Sequence, residues 1–120
     1  MKVLVFEENL MWSSRLMQTL RGTGHEPLLR KGMPESSEGA EAAIINLGSS
    51  SPGPTELVGR LHGLGVKVLA HAGHREKDLL ALGKAAGADR LATNREITFK
   101  LPQLLEELGG GPKVPEEPEE

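Results

Sequence analysis

The chain alternates short apolar runs with longer stretches in which apolar residues recur every three or four positions. Lys2 to Phe6 is short, apolar and rich in Val, the pattern of a strand buried on both faces. After Glu7 and Glu8, Asn9 suits the N-cap of a helix. Trp12, Leu16 and Leu20 fall four apart on it, Met17 adds to the same face, and Gly22 and Gly24 end it. Pro27 to Arg30 predicts a short second strand. Residues 31–42 hold Gly32, Pro34, Ser36, Ser37 and Gly39, which is loop chemistry with room for one helical turn at most. Ala43 to Leu47 predicts a third strand that runs into Gly48 to Pro54, a long loop of small residues expected to be mobile.

Leu57, Val58, Leu61 and Leu64 mark the next helix, begun near Pro54 or Thr55. Val66 to Ala70 predicts a fourth strand. A helix from about Arg75 to Ala86 should turn Leu79, Leu80 and Leu82 inward and stop at Gly87. Arg90 to Ala92 predicts a brief fifth strand. The last helix carries Leu101, Leu104, Leu105 and Leu108, with Pro102 in its first turn, where a missing N–H costs little. Strands that alternate with helices imply a parallel sheet covered on both faces, closed by right-handed crossovers into an open doubly wound fold. In such folds the ligand crevice lies at the carboxyl ends of the strands. Glu7 and Glu8, Asn46 and Leu47, Ala70 to His74, and Thr93 to Arg95 fall there.

At 120 residues the chain suits one domain, expected to span 1–108. Residues 109–120 are expected to form a disordered acidic Pro/Glu-rich tail. That tail carries Lys113 against Glu116, Glu117, Glu119 and Glu120, which accounts for the whole net charge of −3 and leaves the body neutral. A neutral body with few aromatic residues is poorly suited to nucleic acid, where affinity rests largely on phosphate neutralisation. No apolar run is long enough to span a bilayer, and the acids after the first strand do not fit a signal peptide, so a cytoplasmic location is expected. The absence of cysteine excludes disulfides, thiolate catalysis and Cys-based zinc sites. With only two Gln and three Asn, the composition also fits thermal adaptation.

Three segments resemble the receiver domain of two-component response regulators, over roughly residues 2–108. Lys2 to Glu8 is similar to the family's first strand, which ends in paired acids. Ile44 to Leu47 is similar to the third strand, which presents the phospho-accepting Asp. Gly87 to Asn94 (Gly-Ala-Asp-Arg-Leu-Ala-Thr-Asn) is similar to the family's Gly-Ala-Asp segment leading to a lysine, and it is the most specific match. The resemblance implies a flavodoxin-like (CheY-like) α/β fold: an open doubly wound parallel five-stranded sheet of order 2-1-3-4-5, in three α/β/α layers, with helix 2 short or missing. It also implies which residues stand at the phosphorylation site. Glu7 and Glu8 would be the Mg²⁺ acids, Asn46 would stand at the acceptor, Ala70 at the switch Ser/Thr and Asn94 at the lysine. An amide is not a carboxylate nucleophile, an alanine has no hydroxyl for a phosphoryl oxygen, and Asn94 removes its cationic partner. Arg95 stands where the family has proline. The combination reads as a pseudo-receiver: a signal-transduction module that works by protein–protein interaction, not as an enzyme. The face of the family's helix 4, strand 5 and helix 5, here bearing Arg90, Arg95 and Lys100, could form a homodimer.

Other chemistry has to be weighed against plain structure. Glu7 and Glu8 could hold Mg²⁺ with a carbonyl near Asn46, or they are a solvated strand end favouring the start of a helix. His71 and His74 with Glu7 or Glu8 could make a mixed N/O site for zinc or another transition metal, as a metal-binding protein or metal-dependent enzyme; two histidines in one loop are also a common accident. Asn46 could sense a small ligand at the switch point of the sheet, or be a polar residue satisfied by neighbouring backbone. His25 and His62 are expected to face solvent, and Trp12 to line core or cleft. The Gly48 to Pro54 loop lacks the Gly-Lys-Ser/Thr of a nucleotide-binding loop and adjoins two carboxylates.

Overall fold

A computed structural model describes residues 1–49 and 53–109. Nine elements follow one another: β1 (Lys2–Phe6), α1 (Leu10–Gly22), β2 (Glu26–Leu29), β3 (Ala42–Asn46), α2 (Pro54–Gly63), β4 (Lys67–Ala72), α3 (Lys77–Ala86), β5 (Arg90–Thr93) and α4 (Asn94–Gly109). The five strands form one parallel sheet in the order β2-β1-β3-β4-β5, which is the expected doubly wound arrangement. The crossover between β2 and β3 carries no helix, so the second helix of a five-helix fold is missing. The expected disordered tail from residue 110 onward, and residues 50–52 of the loop expected to be mobile, lie outside the described residues.

Successive strand residues point to opposite faces of a sheet, and the core divides accordingly. Val3, Val5, Ile44 and Leu69 pack with Leu16 and Leu20 of α1 and with Ile97, Leu101, Leu104 and Leu105 of α4. Leu4, Phe6, Ile45, Val68 and Ala70 pack on the other face with Leu57, Val58 and Leu61 of α2. Asn9 caps α1 as expected, its side chain accepting the Trp12 N–H at 3.0 Å.

Several boundaries differ from expectation, each for a local reason. β4 runs two residues past Ala70, because His71 and Ala72 are buried and pair with Ala92 and Thr93 of β5. Leu79 and Leu80 pack against the core as expected, but Leu82 is 37% exposed, and the residue of α3 that is buried is Gly83. A Cβ there would stand 2.8 Å from Leu91 Cδ2 and 2.9 Å from Leu47 Cδ1, so the missing side chain is what lets α3 approach the sheet. α4 starts at Asn94, well before the leucine stripe, and bends at Lys100, whose φ of −128° is not helical. Pro102 therefore sits in the first turn of the second segment, where its ring is tolerated.

Two glycines within helices should respond in opposite directions. Gly59 is exposed on α2, and a Cβ added there would meet nothing within 4 Å, so Gly59→Ala should stabilise the fold by about 0.5–1 kcal/mol. Gly83→Val should cost about 1–3 kcal/mol through overpacking against Leu47 and Leu91. Urea unfolding midpoints of the two variants check both directions.

Candidate functional site

The carboxyl ends of β1, β3 and β4 bring three polar residues to one side of the sheet by strand alternation alone. Glu7 follows Val5, Asn46 follows Ile44 and His71 follows Leu69, and all three of those apolar residues face α1 and α4. The β3–β4 register places Asn46 directly beside His71. Asn94, the first residue of α4, closes the group.

Glu7 is buried, its side chain only 2% exposed. A carboxylate in that position must be met by donors. The Asn46 amide Nδ2 supplies them, 3.0 Å from Oε1 and 3.1 Å from Oε2, and the Asn9 N–H donates to Oε2 at 3.1 Å. The other end of the Asn46 amide accepts the Gly48 N–H at Oδ1, 2.9 Å away. These contacts fix which way the amide points: the reverse orientation would set oxygen against carboxylate and NH₂ against N–H.

His71 is 1% exposed. Its Nδ1 lies 2.7 Å from Asn94 Oδ1. An amide oxygen only accepts, so Nδ1 carries the ring proton and Nε2 of the neutral ring is a bare acceptor. Nε2 has no hydrogen-bond partner and lies 3.8 Å from Glu7 Oε1, beyond hydrogen-bonding reach. Burial pushes the His71 pKa below its ordinary 6.5; the Asn94 contact and the Glu7 charge pull the other way but do not prevail. The Trp12 ring leans against the imidazole with centroids 6.2 Å apart.

The geometry corrects two expectations. Ala70 does not reach this cleft. It pairs with Ile45, is fully buried, and points to the opposite face, among the residues packed under α2. The residue that ends β4, Ala72, also carries no hydroxyl. The proposed four-residue metal site does not assemble either. His74 and Glu8 are exposed while Glu7 and His71 are buried, and the described residues contain no group of three or more His, Asp or Glu side chains placed to hold a metal ion.

Magnesium, which the receiver resemblance implies, also does not fit the donor set. Both oxygens of Glu7 are already engaged, and the Asn46 group that faces them is an NH₂, the wrong polarity to line a cation. Sequence reasoning missed the part played by His71. The alternation within Leu69-Ala-His71 could have revealed it, because a strand extended past Ala70 turns the imidazole toward Glu7.

Other singled-out side chains have structural partners. His62 Nε2 meets Asp89 Oδ2 at 2.8 Å, and that same oxygen accepts the Val68 N–H at 2.7 Å. His25 Nδ1 lies 3.1 Å from the amino group of Met1. Arg90 pairs with Glu107 at 2.8 Å.

Neither a family model nor a curated protein matches the chain. Solved structures do match it, and they are response-regulator receiver domains. A chain from Chloroflexus aurantiacus J-10-fl assigned as a response regulator superimposes with a TM-score of 0.74 at 18% identity, covering 88% of this chain and 94% of that one. A response regulator from Burkholderia pseudomallei, solved with a phosphorylated aspartic acid, a calcium ion and citrate, gives 0.72 at 17% identity over 91% of this chain and 66% of that one. A CheY-like receiver domain protein from Methanospirillum hungatei JF-1 gives 0.66 at 18% identity, over 88% and 94%. The fold is that of a receiver, at an identity low enough to be consistent with wide divergence.

The lowered pKa of His71 has a sign that can be checked. Below pH 6.5 the unfolded chain holds this proton more readily than the folded one. The histidine's contribution to stability is thus complete above its ordinary pKa and is lost as pH falls toward its folded value. The urea midpoint should fall on going from about pH 7 to about pH 5, and fall less in His71→Asn, which keeps a donor toward Asn94 but cannot titrate there. Equal pH slopes in the two proteins would refute the assignment.

Proposed function

We propose that the chain is a receiver-fold regulatory module that is not switched by aspartyl phosphorylation and acts through contact with a protein partner. The observation that carries this reading is the Asn46 amide, locked between Gly48 N–H and the Glu7 carboxylate. Phosphoryl transfer to a receiver needs a carboxylate nucleophile, a metal and a cation for the phosphoryl oxygens. On this reading Asn46 stands at the nucleophile position as an amide, its NH₂ faces the Glu7 carboxylate, and Asn94 at the lysine position contacts His71. The module is therefore proposed to be non-enzymatic, with its conformation set by partner binding.

The partner surface proposed is the one formed by β5 and α4 with α3 beside them. Phe99 on α4 is 72% exposed, with the Arg95 guanidinium over its ring at 5.6 Å and Lys100 next in sequence. An exposed aromatic flanked by cations is a suitable anchor for a protein interface, including one with a second copy of the chain. No helix among the described residues is long and apolar enough to cross a membrane.

Acetyl phosphate should add no mass to the protein; a labile adduct of about 80 Da would overturn the proposal. Asn46→Asp should set a second carboxylate against Glu7 and lower stability at neutral pH by about 1–3 kcal/mol. Millimolar Mg²⁺ should then restore part of that loss in the variant while leaving the melting temperature of the native protein unchanged. A magnesium-dependent rise in the native protein would contradict the donor assignment. If the Phe99 face joins two copies, light scattering should show a dimer that Phe99→Asp converts to monomer.

A further inference from the structure

A cavity of about 390 Å³, which shares Glu7, Glu8 and Asn46 with the amide-floored cleft, opens between the start of the β2–β3 crossover and the first turn of α2. Phe6, Ile45 and Leu57 line its apolar floor, and Glu8 and Lys31 stand on its rim. It straddles the ends of β1 and β3, where strand order reverses and doubly wound sheets bind their ligands.

The missing helix explains why the space is there. A helix between β2 and β3 would ordinarily cover this half of the sheet, but residues 30–41 cross as irregular chain. The middle of that crossover is held well along α2, where Arg60 donates to Pro34 O at 2.8 Å and to Glu35 O at 3.2 Å. Arg30 at its start is held by a bidentate pair with Glu38, at 2.8 and 2.7 Å. These contacts anchor the helix-free crossover at its start and its middle. The volume lies in the range of small-molecule sites.

We infer that this cavity binds a small zwitterion with an apolar body, of the size of a free amino acid or a dipeptide. The chemistry of the lining selects this class. Glu7 and Arg30 are already satisfied by their neighbours, whereas Glu8 and Lys31 are exposed and make no hydrogen bond or ion pair with other described residues. One free carboxylate and one free ammonium at the rim of an apolar floor complement a ligand with one charge of each sign. A simple anion would meet Glu8, a simple cation would meet Lys31, and a wholly polar molecule would leave Phe6, Ile45 and Leu57 without contact. Glu7 and Asn46 form one wall of the cavity, but the two charges the inference invokes, Glu8 and Lys31, make no hydrogen bond to that pair, so it does not depend on the phosphorylation reading.

The test is a titration of the full-length ¹⁵N-labelled protein, followed by amide shifts. The probes are L-phenylalanine, leucyl-leucine, 3-phenylpropionate, 2-phenylethylamine and glycine. At least one of the first two should bind saturably with Kd at or below about 1 mM, shifting the amides of Ile45 and Leu57. The two single-charge analogues and glycine should bind at least about tenfold more weakly, the equivalent of about 1.4 kcal/mol. Lys31→Glu and Glu8→Lys, both at exposed positions, should each weaken binding by a similar factor, and Lys31→Glu should leave the melting temperature unchanged. Absence of saturable binding by both zwitterions, equal binding of 3-phenylpropionate, or indifference to both charge reversals would each overturn the inference.

Discussion

A carboxylate withdrawn from water must be met by donors, and Glu7 at the end of β1 is withdrawn almost completely. What meets it is an amide from the neighbouring strand. Asn46 gives its NH₂ to Glu7 and takes the Gly48 N–H on its oxygen, so both ends of the amide are committed. The chain of contacts runs further: the Asn9 N–H also reaches Glu7, and the Asn9 side chain caps α1. One hydrogen-bonded path therefore joins the turn after β3, the end of β1 and the start of α1. In an acid-rich cleft of this kind a cation would ordinarily offset the charge. Here a neutral donor, the Asn46 amide, meets the Glu7 carboxylate.

The fold was legible because it rests on a pattern that survives wide divergence. Buried parallel strands read as short apolar runs, and Lys2 to Phe6 was placed to the residue. The missing second helix was legible too, since Gly32, Pro34 and Gly39 cannot support one. The misplaced ends had local causes. Beyond Ala70 the sequence turns polar at His71, which reads as a strand end, yet pairing with β5 carries the strand to Ala72. The start of α4 at Asn94 was also missed, although Thr93-Asn-Arg-Glu96 has the spacing of a capping box. In the structure Thr93 N–H donates to Glu96 Oε1 at 2.9 Å and Glu96 N–H to Thr93 Oγ1 at 3.1 Å.

The site was half legible. Glu7, Asn46 and Asn94 could be picked out because each ends or follows a strand on the same edge of the sheet. What sequence could not supply was the face each residue chooses. A one-residue offset turns a strand side chain to the opposite side, and that offset separates Ala70, sealed under α2, from His71, facing Glu7. Leu82 and Gly83 differ for a related reason: helical periodicity marks a face but not how close the helix comes, and only a glycine allows the approach that α3 makes to Leu47 and Leu91.

The two polar features of the strand ends differ in how they are balanced, and the difference bears on what each can do. In the Glu7–Asn46 contact every atom has a partner, so rearrangement there would strand a buried charge and is strongly opposed. A stretch of structure held this firmly serves as a floor rather than as a moving part. His71 is the exception within it: Nδ1 is held by Asn94 while Nε2 faces a carboxylate across 3.8 Å with no proton between them. Burial keeps that proton out, because charging the ring inside the sheet costs more than the attraction of Glu7 returns. The cleft floor is thus rigid by satisfaction at one end and by desolvation at the other. Whatever adaptability this edge of the domain retains must come from elements outside that network, namely the helix-free crossover and the exposed residues that border it.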